Sequence, residues 1–128
     1  MLKSEKIGAF YKEYFKRCVN GNENEQLSLA LSKLIDMLRI YYNEQVIVLL
    51  DEYDAPILES YNRGYYKECI TFMKEVFSST FKDNNNLKKG IITGVLRVSK
   101  EGIFSDANNI DIYNITDYKC FIEFGNDR

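Results

Sequence analysis

Asp51 and Glu52 follow directly on the apolar run Val46-Ile47-Val48-Leu49-Leu50, with Asp54 two positions beyond Glu52 and Ala55-Pro56 behind it. Two carboxylates delivered at the end of an apolar strand can share the work of hydrolysis. The first holds Mg²⁺, usually through water, and the second orients and deprotonates an attacking water. In that division Asp51 is the metal carboxylate and Glu52 the base. The chain has no histidine, which excludes His-based serine or cysteine triads, His-ligated zinc and imidazole proton shuttles. Acid–base work must therefore come from carboxylates, Lys, Tyr or Cys. Cys18, Cys69 and Cys120 are odd in number and contain no C-x-x-C pair, so they are expected to be free thiols in a reducing compartment.

Carboxylates act only where the fold positions them. Val46–Leu50 is short, continuous and β-branched, the pattern of a strand buried on both faces of a parallel sheet. A second run, Ile91-Ile92-Thr93-Gly94-Val95-Leu96, follows Lys88-Lys89-Gly90, and Tyr66, Ile70, Met73, Phe77 and Phe81 mark a helix between the two. Strand, helix, strand predicts a right-handed βαβ unit with the strands Val46–Leu50 and Ile91–Val95 adjacent and parallel. Asp51 and Thr93 then lie at the same sheet edge, where open α/β sheets gather their ligands. Upstream, Ile7, Phe10, Tyr14 and Cys18, then Leu27, Leu31, Leu34, Leu38 and Tyr41, fall at helical spacings. The loop Asn20-Gly21-Asn22-Glu23-Asn24 joins these two helices, and Asp83-Asn84-Asn85-Asn86 is a turn after the third. The expected fold class is α/β with flanking helices, and Ile110 to Phe124 can hold one more short strand.

An apolar strand ending in two acids is the Walker B arrangement of P-loop ATPases. A strand can also end in acids merely to enter solvent, so the second segment carries the distinction. "VLLDEYDAPIL" and "ITGVLRVSKEGIFSDANNI" together resemble the bacterial AAA-ATPase-like family of P-loop proteins, whose members often carry a C-terminal PD-(D/E)xK nuclease-like domain. The resemblance covers roughly Tyr41 to Tyr113 and implies a partial P-loop NTPase (AAA/ASCE-like) layered fold. In that fold the second strand is the sensor strand, inserted between the P-loop strand and the Walker B strand. Thr93, or a polar neighbour, then faces the γ-phosphate, and Arg97 contacts phosphate directly or across a subunit boundary; the plainer reading of Arg97 is a surface or loop-anchoring cation. The cofactors implied are Mg²⁺ and ATP.

The departure from the family pattern is equally specific. None of the seven glycines is followed by lysine, so these 128 residues contain no G-x-x-x-x-G-K-[ST] loop to cradle the phosphates. No E-x-K follows a suitably placed acid either. The expectation is one incomplete domain over 1–128, with a helical lead-in over 1–45, a βαβ core over 46–96 and a post-sensor segment over 97–128. Its function reads as the Walker B and sensor part of an ATPase core, inactive unless a P-loop is supplied from elsewhere. A small non-catalytic interaction module built on the same fold is the alternative. A Mg²⁺ nuclease using Asp51, Glu52 and Asp54 is weaker, because adjacent acids at a strand end point to different faces. Seventeen basic against nineteen acidic residues give no excess charge for nucleic acid or anionic lipid. The longest apolar run, Val46–Leu50, is far short of the roughly 18–20 residues of a membrane span. A cytoplasmic protein that self-associates or meets a missing ATPase half is the reading that follows.

Overall fold

In the computed structural model, residues 1–21, 26–95 and 102–103 are described. Helix α1 (Ala9–Val19) and helix α2 (Ala30–Tyr42), the latter preceded by a 3₁₀ turn at Leu27–Leu29, lead into strand β1 (Val46–Leu50). Helices α3 (Ala55–Arg63) and α4 (Tyr66–Phe81) then carry the chain to strand β2 (Leu87–Ile92). The strands pair in parallel, with Val48 opposite Gly90, Leu49 opposite Ile91 and Leu50 opposite Ile92. The chain is therefore α/β with a parallel pair joined by a helical crossover, as the alternation of apolar runs predicts.

Helix ends follow local chemistry. Lys16 and Arg17 occupy the last turn of α1, where cations meet the negative end of the helix dipole. Asn43 ends α2 in the left-handed conformation, and Gly64 ends α3 in the same way at φ +82. Pro56 sits in the first turn of α3, where a missing amide hydrogen costs nothing. Helix α3 is absent from the sequence expectation. Only Ile57 and Ser60 of its nine residues are buried, too sparse a stripe to register as periodicity. Helix α2 also differs from expectation: Ile35 and Met37 are its buried residues while Leu27 is exposed. The helix is half-covered on several sides by α1, α4 and β1, so no single leucine stripe forms its inner face.

The second strand starts earlier than its apolar run. Lys88, Lys89 and Gly90 belong to β2, whereas Thr93 and Val95 lie beyond it. Two features account for this. The turn Asp83–Asn86 is closed by Asn84, whose side chain bonds back to the Thr80 carbonyl (3.0 Å) and accepts from the Asn86 amide (3.1 Å), so the strand begins immediately after it. Gly90 faces the core at the position where the Phe81 ring lies; a Cβ there would stand 2.5 Å from that ring. Glycine inside the strand is thus a packing requirement rather than a turn signal.

Ile35, Val48, Tyr53, Ile57, Ile70, Met73, Phe77, Phe81 and Ile103 form one core cluster on a single face of the sheet. Phe77 is fully buried and meets the rings of Tyr53 and Phe81 at 6.1 and 5.9 Å. The expectation of a strand covered on both faces does not hold among the described residues, since Ile47 and Leu49 are 53% and 72% exposed. The lead-in is tied to the sheet through Asp36, which accepts from the Asn86 side chain (2.9 Å) and from the Tyr11 hydroxyl (3.4 Å). Arg97 and the candidate strand in 110–124 lie outside the described residues.

Burial, then the Asp36 charge and hydrogen bond, push the Tyr11 phenol above its ordinary value. The folded state thus holds this proton more tightly than the unfolded chain does, and the associated stability is present below about pH 10 and is lost as pH rises through the folded value. Tyr11→Phe should flatten the alkaline limb of the stability–pH profile measured by urea denaturation; an unchanged limb would remove Tyr11 as its source.

Candidate functional site

The two strands end in step. Because Leu50 pairs with Ile92, the residues that follow, Asp51 and Thr93, leave the sheet side by side. The Thr93 amide donates to the Leu50 carbonyl (2.9 Å), and the Tyr53 amide donates to the Thr93 carbonyl (3.1 Å), so the Thr93 backbone is stitched to the chain on both sides of Asp51. The Thr93 hydroxyl donates to Asp51 Oδ1. That same oxygen accepts the Glu52 amide at 3.0 Å. Asp51, Glu52 and Thr93 are all exposed or half-exposed, so the three form a polar rim at the carboxyl end of the parallel pair.

Glu52 has φ +52, a left-handed backbone that costs an L-residue with a Cβ about 1–2 kcal/mol. This conformation turns the chain out of β1 sharply enough for the next residues to fold back: the Tyr53 ring enters the core and the Ala55 amide reaches the Glu52 carbonyl (3.0 Å), opening α3. Asp54, in contrast with Asp51, is 3% exposed, and its Oδ2 accepts the Val95 amide at 3.1 Å. The acids of the "DEYD" stretch therefore do not gather into one site: one is buried against the loop after β2 while two remain at the rim.

An exposed carboxylate beside a hydroxyl is a hard-oxygen set suited to Mg²⁺, which is commonly held by one or two carboxylates with water and substrate phosphates making up the remainder. Among the described residues, no three His, Cys, Asp or Glu side chains are grouped to hold a metal unaided. The sequence pattern points to Asp51, Glu52 and Thr93, which the structure brings together, and to Arg97, which is outside the described residues. It does not point to Gly94. A Cβ on Gly94 would stand 2.6 Å from the Tyr53 ring and 2.7 Å from Asp54 Oδ1, both buried. Its signal in the sequence is a glycine inside the run Ile91–Leu96, which marks a close backbone approach.

Two substitutions separate fit from strain. Gly94→Ala should cost about 1–3 kcal/mol, the range for forcing an extra carbon into a filled site, measured as a lowered urea midpoint at constant slope. Glu52→Gly should raise stability by up to about 1 kcal/mol by relieving the left-handed backbone; a loss instead would mean that the Glu52 side chain makes a contact worth more than the strain.

Among the described residues, no helix is long and apolar enough to cross a membrane. No solved structure matches the chain. The chain is 33% identical over 69 residues to an uncharacterized protein in the vnfD 5′ region of Azotobacter chroococcum mcd 1. That match covers 53% of this chain and 13% of the relative, so the chain spans only a small part of the relative's length. The family model described as "Predicted AAA-ATPase" matches residues 3–104, most of the chain and all of the α/β unit just described. With the parallel strands and the residues at their shared end inside that match, the chain belongs to the predicted AAA-ATPase family.

Proposed function

We propose that this chain supplies the Walker B and sensor part of an AAA-like ATP-hydrolysing core, working with a P-loop that these residues do not contain. The single observation behind this reading is the meeting of the Thr93 hydroxyl and the Asp51 carboxylate at adjoining ends of parallel strands. Asp51 would hold Mg²⁺, directly or through water, and Mg²⁺ when bound would neutralise charge on the phosphates of ATP. Glu52 is the exposed acid next to it and is suited to orient a water and accept its proton. Thr93 plays two parts. Its hydroxyl holds one oxygen of Asp51 in place, and its position at the rim faces it toward a γ-phosphate. Arg97 is proposed as the phosphate-contacting cation that follows the sensor strand.

In this reading most of the nucleotide affinity belongs to the P-loop, because backbone amides and a lysine there cradle the phosphates. The partner is a P-loop-bearing segment, in the same protein or in another. The alternative, a non-catalytic interaction module, is favoured by a separate observation: Ile47, Leu49 and Ile91 leave one face of the sheet apolar and exposed. Self-association through that face or the sheet edges is the corresponding partner proposal.

Calorimetric titration of these 128 residues with Mg-ATP should show millimolar affinity at best and no turnover. Micromolar affinity that Asp51→Ala abolishes would mean that the site is complete in this chain. In a protein that includes the P-loop, Glu52→Gln should lower kcat by about 10²–10⁴-fold, the usual contribution of a general base, while Mg-ATP still binds. Unchanged turnover would remove Glu52 from the mechanism. The interaction-module reading predicts instead a mass that rises with concentration in light scattering and a rate of ATP hydrolysis that stays at zero when a P-loop is present.

A further inference from the structure

We infer that Asp54 is a positioning residue: its buried carboxylate clamps the loop after β2 and thereby sets where the Thr93 hydroxyl meets Asp51. The consequence for metal and phosphate rests on the proposed function; the clamp itself does not. Besides the Thr93 hydroxyl's own bond to Asp51, three hydrogen bonds among the described residues hold Thr93–Val95 to the exit of β1. Two are backbone to backbone, from the Thr93 amide to the Leu50 carbonyl and from the Tyr53 amide to the Thr93 carbonyl. They end at Thr93. The third, from the Val95 amide to Asp54 Oδ2 at 3.1 Å, is the one that depends on a side chain, and it spans 41 positions of sequence.

Asp54 occupies the N-cap position of α3, where an aspartate ordinarily accepts from the amides of its own helix. Its side chain makes no such capping bond and reaches across to β2's exit instead. A 3% exposed carboxylate is stable only with hydrogen-bond donors directed at it, and the N-terminus of α3 adds a favourable dipole. Gly94 completes the clamp: the space a Cβ would need is filled by Asp54 Oδ1 and the Tyr53 ring. The Tyr53 ring is in turn anchored on Phe77 in the core. Asp54 and Tyr53 thus grip the residue after Thr93 from two sides, and the grip leads back through α3 and α4 to the hydrophobic core.

Amide hydrogen exchange on the isotope-labelled chain tests the clamp without nucleotide or metal. In the wild type, the Val95 amide should exchange at least about tenfold more slowly than in an unstructured chain. Asp54→Ala should abolish that protection and speed exchange at Thr93, while Asp54→Asn, whose amide oxygen can accept the same bond, should retain most of it. An unprotected Val95 in the wild type, or protection that survives in Asp54→Ala, overturns the clamp. If Asp54→Ala does not fold, the wild type and Asp54→Asn decide: loss of Val95 protection in a folded Asp54→Asn overturns it. Mn²⁺ as a paramagnetic probe then reads the positioning role by broadening of the Glu52 and Thr93 amides. Asp54→Ala should raise the Mn²⁺ midpoint several-fold, and Asp54→Asn should keep the wild-type midpoint despite losing the charge. Equal midpoints in all three, with Val95 released in Asp54→Ala, overturn the positioning role. No broadening in the wild type sinks the Walker B reading instead, and the exchange data alone judge the clamp.

Discussion

The parallel register of β1 and β2 is the constraint on which the rest of the molecule depends. Leu50 and Ile92 end the ladder together, and only for that reason do Asp51 and Thr93 emerge within hydrogen-bonding reach. A slip of one residue would invert every side chain of the moving strand and carry Thr93 away from the carboxylate. Contacts at three places outside the ladder pin the register. At its start the Val46 amide donates to the Asn86 carbonyl, and the Asn86 side chain is fixed by Asp36 on α2. In the middle, Gly90 admits the Phe81 ring, a fit that no residue bearing a Cβ reproduces. At its end, the Thr93 backbone is held by Leu50 and Tyr53.

From this register follows a division of labour among neighbouring residues. Alternation at the β1 exit is broken by the left-handed backbone of Glu52, and the break sends Tyr53 and Asp54 inward while Asp51 and Glu52 stay at the rim. A regular strand continuing through this stretch would have placed the acids on alternate faces. The strained turn instead yields one exposed pair and one buried acid. Backbone strain of this kind persists only where surrounding packing over-determines it, and the packing here is Tyr53 on Phe77 together with Gly94 on Tyr53.

The sheet is covered unevenly. Helices α3 and α4 and the lead-in pack on the face that carries Val48, whereas Ile47, Leu49 and Ile91 face outward. Parallel sheets generally have both faces covered, because their crossovers place helices there. Burying such side chains is worth about 25 cal/mol per Å² of apolar surface, so any segment or partner that covers this face gains from doing so. The apolar character of β1 on both faces is written in its sequence; the described residues supply cover for one.

Much of this is legible in the chain alone. Five consecutive apolar residues ending in Asp-Glu identify β1 and the acids at its end, and the spacing of Ile70, Met73, Phe77 and Phe81 identifies α4 as the crossover helix, because a strand needs only local β-branched runs and a long helix only a regular stripe. The extent of β2 is not legible: its apolar run begins only at Ile91, and the glycine within the strand is explained only by the Phe81 ring that it admits. Helix α3 is not legible either, since two buried residues make no periodic signal. Nor does the sequence show which of its acids is buried. Asp51 and Asp54 are the same residue three positions apart, and which of them is exposed and which is buried against Val95 depends on the backbone turn at Glu52 and on the loop that returns from 41 residues away. The sequence by itself determined which residues could do chemistry and on which strand they end; the tertiary structure decided which of them face outward, because burial and hydrogen bonding are set by chain segments that meet only on folding.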